Sequence, residues 1–205
     1  MTRRTGREPT PPDEVHVRDR AAWRRWLTRN HTREGGVWLF YDKGPQRRLT
    51  YDDIVEEALC FGWVDSRPRR IDDVTAALWL APRKPSSSWS AKNKQRVLAL
   101  TAAGLMAQAG LAAVERARAN GRWEALDAVE AGQEPDDLRA AFAGDAQARQ
   151  HWDAFPRSTK RAILEWIGAA KKPETRASRI ARTVSDAHDG IRANQWRQPG
   201  SAAGR

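Results

Sequence analysis

Apolar positions alternate between two periods along this chain, and the change of period divides it. Trp23, Trp26 and Leu27 recur at i, i+3 and i+4, which predicts a helix over residues 20–30, closed by Asn30-His31. Before it, Val15-His16-Val17 reads as an extended start; after Gly35-Gly36, residues 37–41 are a run of β-formers and predict a strand. Asp42-Lys43-Gly44-Pro45 is a turn. Thr50 has the character of an N-cap with Asp53 as its capping-box partner, and Leu49 and Ile54 occupy the positions of a hydrophobic staple. Ile54, Val55, Ala58 and Leu59 then share a helical face, and Gly62 supplies the left-handed position that ends the helix. Residues 63–67 predict a short strand ended by Pro68, and residues 76–81 a second one.

Past residue 81 the strand period disappears. Ser88 or Ser90 caps a helix running to Ala103, with Gly104 as its stop. Helical patterns follow over residues 107–120 and 123–131, each closed by glycine. Pro135 suits the first position of the next helix. Another begins near Asp145, Ser158 caps the one after it, and Pro173 opens a last helix that ends at Gly190. The expectation is an α+β fold: a small N-terminal α/β half, built on a short antiparallel sheet with helices, followed by an all-helical C-terminal half. The expected boundaries are a disordered tail at 1–14, an α+β domain at 15–104, a helical region at 105–190 and a flexible tail at 191–205. The tails carry proline, glycine and charge without apolar periodicity.

Composition adds constraints. Ten Trp stand against four Phe and two Tyr, so indoles must fill much of the core, each with an N–H that needs an acceptor. A single cysteine, Cys60, excludes an internal disulfide, and its apolar neighbours Leu59 and Phe61 predict a buried, inert thiol. No apolar run reaches the ~18 residues of a membrane-spanning helix, and the N-terminal stretch lacks an apolar signal core, so a cytoplasmic location is expected.

The net charge of +10 is not spread evenly. Residues 67–96 hold eight basic and two acidic residues, and residues 157–182 hold eight and two again. Together these windows exceed the charge of the whole chain, which points to an anion-facing surface. In the first window strand alternation puts Trp63, Asp65 and Arg67 on one face, and Asp65 is placed to hold Arg67, Arg69 or Arg83 by a charge-assisted pair. Ser88-Trp89-Ser90 leads into a helix N-terminus, a natural anion site. Asp65, Arg67, Arg83, Trp89, Ser90 and Asn93 are therefore the candidate ligand-binding set; the competing reading makes Trp89 core and the charges hairpin ties. In the second window Lys171, Lys172, Arg176 and Arg179 form a candidate basic patch around a helix junction.

The run LCFGWVDSRPRRID, then Pro82-Arg83-Lys84, Ser88-Trp89-Ser90, Asn93 and Arg96, resembles the YdeI/OmpD-associated (OmdA) family. So do Ala154-Phe155-Pro156, Ser158, Arg161, Trp166-Ile167, Ala170-Lys171, Glu174-Thr175-Arg176 and Arg179-Ile180, and the pattern spans roughly residues 20–190. The resemblance implies a link to bacteriocin protection and antimicrobial-peptide tolerance, and brings no catalytic residues with it. It makes residues 105–190 the part most like that family.

No catalytic or metal-binding motif is read. The four histidines are scattered, without ligand spacing, and no GxSxG, SxxK, GxGxxG or phosphate-loop pattern occurs. Neither a metal nor a cofactor is expected. The acidic pairs Glu56-Glu57 and Asp72-Asp73 read as solvated faces. The expected function is a binding protein with a basic, anion-facing site for a small anionic ligand. Nucleic-acid binding, without a recognised motif, is the first alternative, and an enzyme acting on a small anion the second. The sequence does not speak to oligomeric state.

Overall fold

A computed structural model describes residues 13–45 and 47–195. The chain forms two compact units, residues 1–125 and 126–205. The first is α+β: β1 (Asp13–His16), α1 (Arg20–Asn30), β2 (Val37–Asp42), α2 (Tyr51–Cys60), β3 (Trp63–Arg70), β4 (Thr75–Pro82), α3 (Ala91–Ala102) and α4 (Gln108–Ala119). The second is helical among the described residues: α5 (Asp127–Glu130), α6 (Asp136–Ala143), α7 (Ala146–Ala154), α8 (Arg157–Gly168) and α9 (Pro173–His188). The tails expected at 1–14 and 191–205 lie mostly outside the described residues. Of their inner ends, Asp13 and Glu14 begin β1, and Ala193 is buried in the helical core.

The sheet order is β1-β2-β4-β3. β2–β4 and β3–β4 pair antiparallel, as expected, but β1–β2 is parallel. The reason lies in the connection: α1 carries the chain from β1 to β2 as a crossover, which a tight hairpin cannot do. Alternation along the strands makes an inner face of Val15, Val37, Leu39, Trp63, Leu78 and Leu80, all buried with Trp23, Leu27, Ile54 and Leu59 from the helices. The demand for indole acceptors is met at two core positions: Trp23 Nε1 donates to the Ile54 carbonyl at 3.1 Å and Trp63 Nε1 to that of His31 at 3.0 Å.

Helix starts follow the capping chemistry. Asp19 caps α1 by accepting from Ala22 N, Thr50 and Asp53 form the full capping box of α2, and Ser90 caps α3. Ser158 does not cap α8, which begins one residue earlier behind Pro156. Pro135 precedes α6 as its cap residue and not its first helical one. The helix expected over 123–131 contracts to Asp127–Glu130, because Trp123 turns into the core of the first unit. For the same reason that unit runs past residue 104. Gly110 brings α4 so close to the end of α2 that an added Cβ would overlap the Cys60 carbonyl, and Ala107 N donates to that carbonyl at 3.0 Å.

Glu57 is not on a solvated face. It is 3% exposed, accepting from Arg20 Nε and Arg24 Nη1 at 2.7 Å each, with Arg20 also 2.9 Å from Asp53 and Glu56. A carboxylate can be buried here because two guanidiniums reach it from α1. In the helical unit, Phe142, Trp152, Ile163, Ile167 and Ile180 form the core, and Trp152 Nε1 donates to Glu134 at 2.8 Å.

Candidate functional site

The six residues expected to share one site fall into two groups, and a β-bulge is the cause. Asp65 pairs with Leu80 and Pro68 with Leu78, so three steps on β3 oppose two on β4. The extra residue reverses the alternation. Arg67, which regular alternation places beside Asp65, instead joins the outer face, with its guanidinium carbon 5.5 Å from the Trp79 ring centre and 5.8 Å from that of Trp38.

On the inner side, Asp65 does not hold an arginine by a hydrogen bond. Its Oδ2 accepts from Tyr51 Oη at 2.6 Å, and burial together with that bond pushes the Tyr51 hydroxyl up to about 12. The Arg83 guanidinium stands over Trp89, 3.8 Å from its ring centre, and donates to the Ser88 carbonyl at 2.9 Å. Burial lowers the Arg83 guanidinium to about 10, against the pull of Asp65. Trp89 is fully enclosed and packs on Trp123 at 5.1 Å. The Trp89 Nε1 and Arg83 Nε donors have no acceptor among the described residues. The space beside them, bounded by Ala113, Arg116 and Ala117, is about 10 Å³, the size of a single water, so no organic anion fits against the indole. Ser90 is occupied in capping Asn93 N, and Asn93 Oδ1 accepts from Arg96 at 3.0 Å. This inner group is a tied joint between hairpin and helix, with Trp89 as core.

The second window sorts similarly. Arg176 makes a fork onto Asp137 at 2.6 and 2.9 Å, tying α9 to α6. Arg179 donates to the Trp166 carbonyl and lies 5.0 Å over that ring, tying α9 to α8. Lys171 and Lys172 are exposed at the helix junction. Only half of the candidate patch is therefore solvent-facing charge.

What the residue pattern did not single out is the outer face of the sheet. Register places two cross-strand rows there: Glu14, Trp38 and Trp79, reaching Arg67 at the bulge, and His16, Phe40, Ala77 and Arg69. Trp38 and Trp79 meet edge to face at 5.4 Å, and His16 stacks on Phe40 at 4.4 Å with an 18° interplanar angle. Arg69 stands 5.8 Å over Trp38. The His16 side chain is 67% exposed, Arg67 and Arg69 are exposed, and Trp38, Phe40 and Trp79 are half-buried. Neither Arg67 nor Arg69 has a hydrogen-bonding or acidic partner among the described residues, in contrast to Arg20, Arg24, Arg70, Arg96, Arg149 and Arg176. Their cations are held by aromatic faces alone. The signal available in the sequence was the alternating Trp38-x-Phe40 of β2, with Trp79 opposite.

Other concavities are open. A groove of about 600 Å³ lies over Arg24, Glu56, Arg96, Leu100 and Leu105, and one of about 460 Å³ over Asp145, Val184, Ser185 and His188. No group of histidine, cysteine and carboxylate side chains that could hold a metal ion occurs among the described residues. No helix among them is long and apolar enough to cross a membrane.

The chain is thus an α+β sheet unit followed by a helical unit. Residues 132–190 match the family described as Bacteriocin-protection, YdeI or OmpD-Associated, which covers α6 to α9. Residues 15–113 match a second model, described as Domain of unknown function (DUF8412). The resemblance to the first family therefore lies in the helical unit, while the pattern LCFGWVDSRPRRID falls within the second model. No curated protein and no solved structure matches the chain.

Proposed function

We propose that this chain is a binding protein whose N-terminal unit receives polyanions on the outer face of the sheet. The observation that carries this is the state of Arg67 and Arg69: exposed, standing over indole rings, and without an acid among the described residues to neutralise them. Isolated exposed cations on flexible stems lose entropy on binding; cations already ordered by stacking lose less. The anion-facing site expected around Arg83 and Trp89 is thereby relocated by one strand face, with Arg67 as the residue common to both. The family description of the helical unit names bacteriocin protection. A protein of net charge +10 repels a cationic peptide, so any protective role runs through an anionic ligand and not through capture of the peptide. A cytoplasmic location suits such a ligand.

Titration with sodium polyphosphate at two salt concentrations tests this. With two charges neutralised, a fourfold rise in salt should weaken binding about 7-fold, from a slope of ~0.7 per phosphate contact. The double substitution Arg67→Gln, Arg69→Gln should abolish that salt dependence. Wild-type affinity for polyphosphate unchanged by the substitution would refute the assignment.

A further inference from the structure

We infer that the polyanion is a single-stranded nucleic acid, lying with its phosphates toward Arg67 and Arg69 and its bases stacked across the Trp38–Trp79 and His16–Phe40 rows. This rests on the polyanion reading above and names its ligand class. Charge alone does not explain the face. A ringless polyanion would use the two arginines and leave four aromatic side chains on the solvent side of the sheet without a role. The rows instead offer a polarised track. Unneutralised cations stand at the β3 end, the Trp38–Trp79 pair and Phe40 lie in the middle, and an exposed His16 ring backed by Phe40 stands at the β1 end. Glu14, 58% exposed at that same β1 end, keeps phosphate away from it and sets the polarity. Aromatic and guanidinium planes are the two surfaces on which unstacked bases settle.

Base accessibility separates a single strand from a duplex. Trp38 and Phe40 are two residues apart on β2, so their side chains emerge ~6.8 Å apart. Bases held in a duplex strand follow one another at ~3.4 Å, with their faces covered by their neighbours. A single strand with its bases splayed apart can present a face to both rings. An RNA or a DNA strand satisfies this chemistry equally.

The test uses fluorescence anisotropy with the full chain at low salt. The probe is a labelled oligothymidylate of about 15 nucleotides, within the footprint of single-strand-binding folds. The competitors are a duplex of equal length and sodium polyphosphate of equal charge. The oligothymidylate should bind, and both competitors should be weaker. His16→Ala alters an exposed side chain and leaves folding intact; it should weaken oligothymidylate binding ~5-fold or more for the lost stack and leave polyphosphate binding unchanged. Arg67→Gln with Arg69→Gln should weaken both ligands. If duplex or polyphosphate competes as well as the oligonucleotide and His16→Ala is silent, the stacking assignment is overturned while the polyanion reading stands. If none of the three probes binds, both fall.

Discussion

Replacing Trp89 by alanine tests whether the joint between hairpin and α3 is scaffold. Its indole is fully enclosed, touches Trp123 at 5.1 Å and carries the Arg83 guanidinium at 3.8 Å. Truncating a buried Trp to Ala costs ~3–5 kcal/mol in core sites. The Arg83 contact lies inside that range, because Arg83 can swing outward once the ring is gone. With a urea slope of ~2 kcal/mol/M, a loss of ~4 kcal/mol lowers the midpoint by ~2 M. Trp89→Phe supplies the contrast. It keeps a ring under Arg83 and deletes an N–H that has no acceptor among the described residues, so the cost of that unpaired donor is removed with it. Its loss should stay clearly below that of Trp89→Ala, because a ring remains in the site and the cavity left is smaller. The assay is urea unfolding followed by tryptophan fluorescence, which reports chiefly on the first unit, since seven of the ten Trp lie there. If Trp89→Phe costs as much as Trp89→Ala, the indole N–H has a polar role and the scaffold account fails. If Trp89→Ala leaves the midpoint within ~0.5 M, less than ~1 kcal/mol at that slope, Trp89 is not core at all.

Three further expectations follow from the geometry. Cys60 is buried, and burial together with nearby Glu57 raises its thiol pKa, so labelling of the native protein should be far slower than in urea; equal rates would contradict the fold at the end of α2. Gly110→Ala sets a methyl into the Cys60 carbonyl and should cost more than the ~1–3 kcal/mol of ordinary overpacking, read as a lowered urea midpoint, whereas Gly121→Ala meets no neighbour and should lose only what its positive φ imposes. Stability should fall in acid. Asp53 is held low because its bonds to Thr50 and the Arg20 pair outweigh burial, Asp137 by Arg176, and Asp153 by Arg149. Depressed carboxylates stabilise the fold above their unfolded value of ~3.9 and lose that contribution as pH drops through the folded values. Cys60 and Tyr51 have raised values and act at the other end, so stability should also decline as pH climbs past ~8.5 and ~10. An acid limb that is flat from pH ~5 to ~2 would contradict the pairings seen for these aspartates.

Much of the first unit is legible in the residues because its signals are local. The α2 start needs only Thr50 and Asp53 three apart, and the capping box forms as read, with Leu49 and Ile54 both buried behind it. The α1 stripe of Trp23 and Leu27 points inward for the same reason. Where the reading fails, the deciding partner is distant. Glu57 looks solvated until Arg20 and Arg24, more than thirty residues upstream, are brought over it. Trp123 looks helical until the core of the first unit claims its ring, and with it goes the boundary after Gly104.

The candidate site shows the same limit acting on charge. Counting arginines in a window treats neighbours in sequence as neighbours in space, but ion pairing sorts them by fold. Arg70 is taken by Asp73, Arg96 by Asp52 and Asn93, and Arg83 by Trp89 and the Ser88 carbonyl. What is left after that sorting is Arg67 and Arg69. A single inserted residue at the bulge determines that Arg67 joins Arg69 over Trp38 on the solvent side and does not join Asp65 beneath the sheet. Pro68, expected to end the strand, sits inside β3 just past that irregularity; lacking an N–H, it fits a bulge or an edge strand, and β3 is an edge. A single-residue change in register thus decides which face carries free positive charge. Deleting Ser66 removes the extra residue and leaves Arg67 opposite Trp79, so the outer face keeps its charge and polyanion binding should persist; loss of that binding would show that the irregularity itself, and not the side on which Arg67 stands, is what holds the ligand.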